Sequence, residues 1–238
     1  MFCATLQNSA RRQSVCIAGW LLLGLCAVAP AFAQETVWKP SSETACQLHG
    51  WSIDIDPKGT NVRAAPSAKA RVVGKLPAYV VTGGGLSGGY GIEFDIIGSH
   101  NGWLKITGAK DDPDRSGKPP RSTYAGTGWI SGNLVWFAVQ SRLGYAEPDS
   151  SSARLLDLMY GNWLAERAKI ERVVACQGKW ALLDFRLLDP TDNLIPLPKA
   201  QRERGRAWFR GICGAQETTC DGVVPDDKPE PSPTQQQP

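Results

Sequence analysis

The sequence repeats itself, and the repetition limits the possible architecture more than any other feature. A proline corner followed by two aliphatic residues occurs at Ala65-Pro66-Ser67-Ala68-Lys69-Ala70-Arg71-Val72-Val73. It returns at Glu147-Pro148-Asp149-Ser150-Ser151-Ser152-Ala153-Arg154-Leu155-Leu156. Trp103 has a counterpart in Trp180, and Gly126-Thr127-Gly128-Trp129-Ile130-Ser131-Gly132 has one in Gly205-Arg206-Ala207-Trp208-Phe209-Arg210-Gly211. Pro66 and Pro148, Trp103 and Trp180, and Trp129 and Trp208 lie 82, 77 and 79 residues apart. Offsets that differ by a few residues fit two copies of one fold whose loops vary in length.

Within each copy, short apolar runs bounded by Gly, Asn, Asp and Pro recur, and none keeps helical spacing for long. That pattern predicts an all-β chain. Ile92–Gly98 and Trp103–Ile106 read as a hairpin around Ser99-His100-Asn101-Gly102, because Asn-Gly supplies the positive φ angles of a tight reversal. A second hairpin joins Ile170–Ala175 to Trp180–Phe185 through Cys176–Lys179. Segments 109–125 and 189–205 read as polar, proline-bearing loops. The stretch Val224–Pro238 has five prolines and three consecutive glutamines. It lacks the apolar area needed to offset chain entropy, and disorder is expected there.

The first 33 residues carry Arg11 and Arg12, no acidic residue, an apolar stretch from Val15 to Val28, and then Ala31-Phe32-Ala33. This is the charged, apolar, small-residue order of a secretory signal peptide. The apolar stretch is shorter than the roughly 18 to 20 residues that cross a bilayer. Cleavage after Ala33 is expected, which places the protein in the periplasm or outside the cell with no integral membrane span. Cleavage removes Cys3, Cys16 and Cys26 and leaves four of the seven cysteines: Cys46, Cys176, Cys213 and Cys220. An even number in an exported chain points to two disulfides, and four cysteines allow three pairings. The pairing taken here is Cys213 with Cys220, closing a short turn, and Cys46 with Cys176, tying one copy to the other. No pair has CxxC spacing, so zinc is not expected. The balance of 26 basic against 23 acidic residues gives no broad cationic field, which argues against nucleic acid as a partner.

Asn61-Val62-Arg63-Ala64-Ala65-Pro66-Ser67, the aliphatic pair Val72-Val73, the strand Gly102-Trp103-Leu104-Lys105-Ile106, and Gly128-Trp129-Ile130 with Leu134 resemble the bacterial SH3-like domain. That family shows an Asn-Val-Arg-x-x-Pro-Ser opening, a mid-domain Gly-Trp-x-x-Val strand, and a late Gly-Trp-Val/Ile strand ending in a short turn and Leu. The resemblance covers residues 50–138. The second copy, 139–221, departs from the pattern: Leu143-Gly144-Tyr145 replaces Asn-Val-Arg, and Lys179 and Ala207 replace the two glycines before tryptophan. Its assignment rests on the repeat. The implied organisation is a signal peptide at 1–33, a linker at 34–49, an SH3-like domain at 50–138, a divergent second one at 139–221, and a disordered Pro/Gln-rich tail at 222–238. Two small β-barrels in tandem are expected, since closing about five short strands into a barrel removes most exposed edges. The resemblance implies recognition of a peptide, of peptidoglycan segments or of another envelope protein.

The remaining motifs carry little chemistry. Gly83-Gly84-Gly85-Leu86-Ser87-Gly88 fits GxGxxG, yet Gly89-Tyr90-Gly91 follows where a dinucleotide fold needs a helix, so no cofactor is expected. Asp112-x-Asp114-x-Ser116-Gly117 begins like a calcium loop but has Thr123 in place of the closing Glu and is broken by Pro119-Pro120. Asp54-Ile55-Asp56 fails the same test at Lys58 and Ala65. The histidines are His49 and His100, and the cysteines are expected to be paired, so no catalytic residue is assigned. Cysteine peptidases that accompany SH3-like modules use a separate domain, for which 34–49 and 222–238 leave no room. A non-enzymatic binding module is therefore the expected function. A cell-wall hydrolase with a cysteine nucleophile, or a structural or regulatory subunit tethered by the tail, are the alternatives. Lys199, Arg202, Arg204, Arg206 and Arg210, with Glu203 among them, read as a solvated face. The recurring Trp103, Trp129, Trp180 and Trp208 read as packing, and Tyr90, Trp103, Tyr124 and Trp136 are the candidate floor of a ligand groove.

Overall fold

A computed structural model describes residues 37–82, 88–159, 163–195 and 204–216. The expected signal peptide, residues 83–87 of the glycine-rich loop, and the expected disordered tail lie outside the described residues. The chain is all-β. Its first half forms β1 (Thr44–Ser52), β2 (Thr60–Arg63), β3 (Val72–Leu76), β4 (Val80–Val81), β5 (Gly89–Tyr90), β6 (Glu93–His100), β7 (Trp103–Lys110), β8 (Gly128–Ser131) and β9 (Val135–Trp136). The second half adds β10 (Ala138–Val139), β11 (Leu143–Tyr145), β12 (Arg154–Asp157), β13 (Ala168–Gln177), β14 (Trp180–Leu187), β15 (Arg204–Phe209) and β16 (Ile212–Cys213). Two four-residue helices, α1 (Pro113–Ser116) and α2 (Leu164–Arg167), interrupt the strands.

Strand order makes the duplication visible. One sheet runs β3-β2-β8-β7-β6-β1-β9 and the other β12-β11-β15-β14-β13. With β2 matched to β11, β3 to β12, β6 to β13, β7 to β14 and β8 to β15, the second order equals the first five places of the first. Neither order returns to its starting strand, so no closed barrel is formed by hydrogen bonding among the described residues. The irregularities match as well. The β2–β3 ladder shifts between Val62 and Arg63, and the β11–β12 ladder between Gly144 and Tyr145. The β6–β7 ladder shifts at Glu93/Asp95 and Ile96/Gly98, and the β13–β14 ladder at Ile170/Arg172 and Val173/Ala175. Bulges locally bend and twist a strand, so their recurrence marks one curvature built twice. Arg63 faces Trp129 as Tyr145 faces Trp208, and Lys105 faces Trp129 as Leu182 faces Trp208. At the proline corner the ladder pairs Arg63 with Val72 and Tyr145 with Arg154. Val72 therefore corresponds to Arg154, one residue away from the Ala-Arg alignment of the sequence and at the same 82-residue offset as Pro66 and Pro148; the bulge residues Val73 and Leu155 correspond likewise.

The departures of the second copy are a volume exchange. Val62, Gly128 and Ile130 of the first sheet become Gly144, Ala207 and Phe209. A Cβ on Gly144 would lie 2.9 Å from both Ala207 and the Phe209 ring. The larger Phe209 thus occupies the space that the valine fills in the first copy, consistent with cores that tolerate compensated changes in size.

Both hairpins are tighter than the sequence suggested. The first turns on Asn101 (φ 47°) and Gly102 (φ 79°) and the second on Gly178 (φ 53°) and Lys179. Positive φ at Asn101 and Gly102 in the first turn, and at Gly178 in the first position of the second, matches the right-handed twist of the flanking strands. Of the expected loops, 109–125 contributes Ala109 and Lys110 to β7 and forms α1, and 189–205 contributes Arg204 and Gly205 to β15.

The two sheets share one continuous apolar core. Leu48, Ile96, Leu104, Ile106 and Ile130 from the first pack in the same cluster as Val173, Leu183, Phe185 and Phe209 from the second. Side chains alternate along a strand, so Ala181, Leu183 and Phe185 of β14 enter that core while Leu182 and Asp184 point to the opposite face. Covalent and polar ties reinforce the junction. Cys46 of β1 is disulfide-bonded to Cys176 of β13, as expected. Gln47 donates its backbone N–H to Gly178 O at 2.8 Å, and Gly178 donates to Ala45 O at 2.9 Å. Beside the disulfide, Thr44 Oγ1 donates to Cys176 O at 2.6 Å, and the Cys176 N–H donates to Ser99 Oγ at 2.8 Å. Cys213 is also disulfide-bonded; its expected partner, Cys220, lies outside the described residues.

Candidate functional site

The outer face of the second sheet carries a second apolar cluster, separate from the shared core: Leu143, Tyr145, Val174, Ala175, Leu182 and Trp208. Alternation puts these side chains there. Trp208 lies between the core residues Ala207 and Phe209, and Leu182 between Ala181 and Leu183. Val174 is the residue of the β13 bulge, turned outward by the ladder shift. An apolar patch on an outer sheet face requires a cover, and the chain supplies one from upstream of β1.

Val37 and Trp38 lie across this patch. The backbone N–H of Trp38 donates to Ala146 O at 2.9 Å, and the Trp208 indole N–H donates to Trp38 O at 2.8 Å. The two indole rings stack with centroids 5.8 Å apart and planes 28° apart. Val37 packs against the same cluster, alongside Trp180, whose ring meets Tyr145 edge-on at 5.4 Å. Trp208 is thereby fully buried while Trp38 stays 41% exposed. The segment belongs to no helix or strand and is read through its backbone, since both polar contacts use main-chain atoms of Trp38. Aromatic floor, indole donor and carbonyl acceptor together form a cradle that holds the Val37-Trp38 segment.

The corresponding face of the first sheet is built differently. By register, Arg63 replaces Tyr145, Lys105 replaces Leu182 and Ile97 replaces Val174. The Lys105 ammonium stands 5.5 Å from the Trp129 ring centroid and is held by Glu43 at 3.0 Å. A lysine stem covers the tryptophan here, where the Val37-Trp38 segment covers it in the second copy.

The four residues expected to floor a groove are spread out. Tyr90, in β5, is buried beneath the Arg121 guanidinium, whose carbon is 5.0 Å from the ring centroid. Trp103 opens β7, Tyr124 packs onto Gly74 of β3, and Trp136 lies in β9. β3 and β9 are the two ends of the seven-stranded order, and no ring contact joins any two of the four among the described residues. The cradle instead uses Trp208 and Trp180, which the repeat marked as packing, together with Trp38, whose partner is 170 residues away.

Several polar groups singled out by the sequence are engaged within the chain. Asp111, with a buried carboxylate, accepts from Arg121 Nε at 2.8 Å, Nη2 at 2.6 Å and the backbone N–H at 2.7 Å. Arg121 also donates to Ala78 O at 2.7 Å. The hydrogen bonds from Arg121 hold the Asp111 carboxyl below the ordinary carboxylate range, so this acid fastens a loop and does not store a proton. Asp112 caps α1, and Asp54 and Asp56 accept from the backbone N–H groups of Asp56 and Lys58. No cluster of potential metal ligands occurs among the described residues. In the basic group, Arg206 makes a two-pronged pair with Asp184, at 2.6 and 2.9 Å, and Arg204 and Arg186 share Glu171. Arg210 lies over the Trp180 ring at 5.8 Å; Lys199, Arg202 and Glu203 fall outside the described residues. His49 Nδ1 bonds Asp95 Oδ1 at 2.7 Å on the exposed side of β1 and β6. Among the described residues, no helix is long and apolar enough to cross a membrane.

No known protein family, curated protein or solved structure matches this chain.

Proposed function

We propose that the chain is an exported, non-enzymatic binding module of the bacterial cell envelope, with two SH3-like units, that recognises extended peptide, including the peptide segments of peptidoglycan. The observation that carries this reading is the seating of Val37-Trp38 on the second sheet. A surface that already grips a main-chain segment through an indole donor, a carbonyl acceptor and an aromatic floor is suited to hold extended polypeptide. The duplicated strand order, with its matched bulges, supports two units of one plan. A disulfide that joins the two halves suits an oxidising compartment and supports export. Cys46, Cys176 and Cys213 are all in disulfide linkage, which weighs against a cysteine nucleophile.

The test is co-sedimentation of residues 34–238 with purified peptidoglycan sacculi, paired with titration of soluble stem peptides. Saturable binding, with peptidoglycan left uncut and no thiol that reacts with an alkylating reagent, is the expected outcome. Release of soluble fragments, or a reactive thiol whose alkylation abolishes that release, would replace the module with a hydrolase. An absence of binding to both sacculi and stem peptides would remove peptidoglycan as the ligand.

A further inference from the structure

We infer that the Val37-Trp38 segment is an internal occupant of the second sheet's peptide cradle, and that it gives way to an external extended peptide bearing a β-branched residue followed by an aromatic one. The inference rests on the peptide-binding reading above and adds to it the site, the ligand class and a competing strap within the chain.

Three features support an exchangeable contact. The polar part of the contact is two hydrogen bonds, each using a main-chain atom of Trp38, which any extended peptide reproduces. The side-chain part is a stacked indole and a valine against a preformed patch whose members are fixed by β11, β13, β14 and β15. Trp38 is itself 41% exposed, so its seating buries only part of its own ring. The first sheet offers no equivalent seat, because Lys105 and Glu43 close over Trp129. The second copy, the one that departs from the family pattern, is thus the one that carries the cradle.

A tethered segment acts at an effective concentration on the order of millimolar, so an external peptide of about 100 µM intrinsic affinity is weakened roughly tenfold while the strap is seated. The experiment compares the full chain from residue 34 with its Trp38→Ala variant, using a fluorescent peptide of the sequence of residues 34–41 and following anisotropy. Thermal unfolding of both proteins verifies folding. The expected result is binding to Trp38→Ala at least about tenfold tighter than to the unsubstituted chain, and loss of that binding when the probe's Trp is replaced by Ala or its Trp amide is N-methylated. Equal binding to both proteins would show that the strap does not compete. An absence of binding to a folded Trp38→Ala variant would show that the cradle takes no external peptide of this class. Either result overturns the inference. Neither decides whether the protein sediments with peptidoglycan, so the two failures are separate. A concentration-dependent dimer of the unsubstituted chain, dissociated by the probe, would mean that straps exchange between copies and would overturn occupancy within one chain.

Discussion

Breaking the Cys46–Cys176 disulfide tests how strongly the two sheets depend on each other. The bond closes a loop with a sequence separation of 130 residues. For a loop of that length, the loss of unfolded-chain entropy amounts to about 5 kcal/mol at room temperature. The stability of an ordinary domain is only about 5–15 kcal/mol, so the change is a large fraction of the whole. The native side of the balance adds little relief. Thr44, Ser99 and the Cys176 backbone remain hydrogen-bonded at the junction whether or not the sulfurs are joined. Urea unfolding of residues 34–238, followed by tryptophan fluorescence, should give a Cys46→Ser/Cys176→Ser variant that is about 3–5 kcal/mol less stable, in a single transition whose slope is no shallower, since the freed unfolded chain exposes more surface. A loss under about 1 kcal/mol would refute the entropy argument. Two separated transitions would refute the shared core, because sheets that bury Leu48 and Phe185 in one cluster must unfold together.

Four further outcomes follow from particular contacts. Trp38→Ala should cost about 1–2 kcal/mol in urea unfolding, since it removes a partly exposed ring and its stacking but leaves the sheets intact. Asp111→Asn should cost about 2–4 kcal/mol, because Arg121 loses a buried carboxylate partner. The Asp111 carboxyl is held below its unfolded value, so its contribution is present in full above the ordinary carboxylate pKa of about 3.9 and is lost as pH falls through the lowered folded value; melting temperatures taken downward from pH 5 should therefore fall more for the unsubstituted chain than for Asp111→Asn. Gly132→Ala should be the more damaging of two glycine substitutions, by at least about 1 kcal/mol, as its Cβ would strike the Val173 carbonyl, whereas a Cβ on Gly178 meets nothing within 4 Å and only its φ of 53° is strained. Equal losses for the two would remove the close approach at Val173 as an explanation.

What the sequence reveals is what is local or repeated. The Asn101-Gly102 turn, the hairpin into Trp180, and the match of Pro66 to Pro148 and Trp129 to Trp208 all depend on residues near each other or on a pattern seen twice. The matched bulges explain why the offsets of 82, 77 and 79 residues hold within each pair of strands and change only in the connections. Contacts that depend on distant partners leave no such trace. Trp38 reads as one tryptophan in a linker, and only the folded chain brings it to Trp208. Asp111 and Arg121 read as members of a polar loop, although the loop is fastened through their pairing. Alternation indicates that Trp208 and Leu182 share a face, but it does not indicate whether that face meets the core or a cover. The expected groove of Tyr90, Trp103, Tyr124 and Trp136 drew entirely on the first copy; the aromatic cradle lies on the second, where Tyr145 and Leu182 replace Arg63 and Lys105.

The Trp208 indole N–H is the direct reporter on the peptide-binding account, because it donates to the Trp38 carbonyl that a bound peptide would have to replace. In a nitrogen-15-labelled Trp38→Ala chain, its resonance should move during titration with the Val-Trp peptide, and it should saturate together with the anisotropy signal. A Trp208 indole resonance that stays fixed while the peptide binds, with shifts confined to other parts of the chain, would contradict the account.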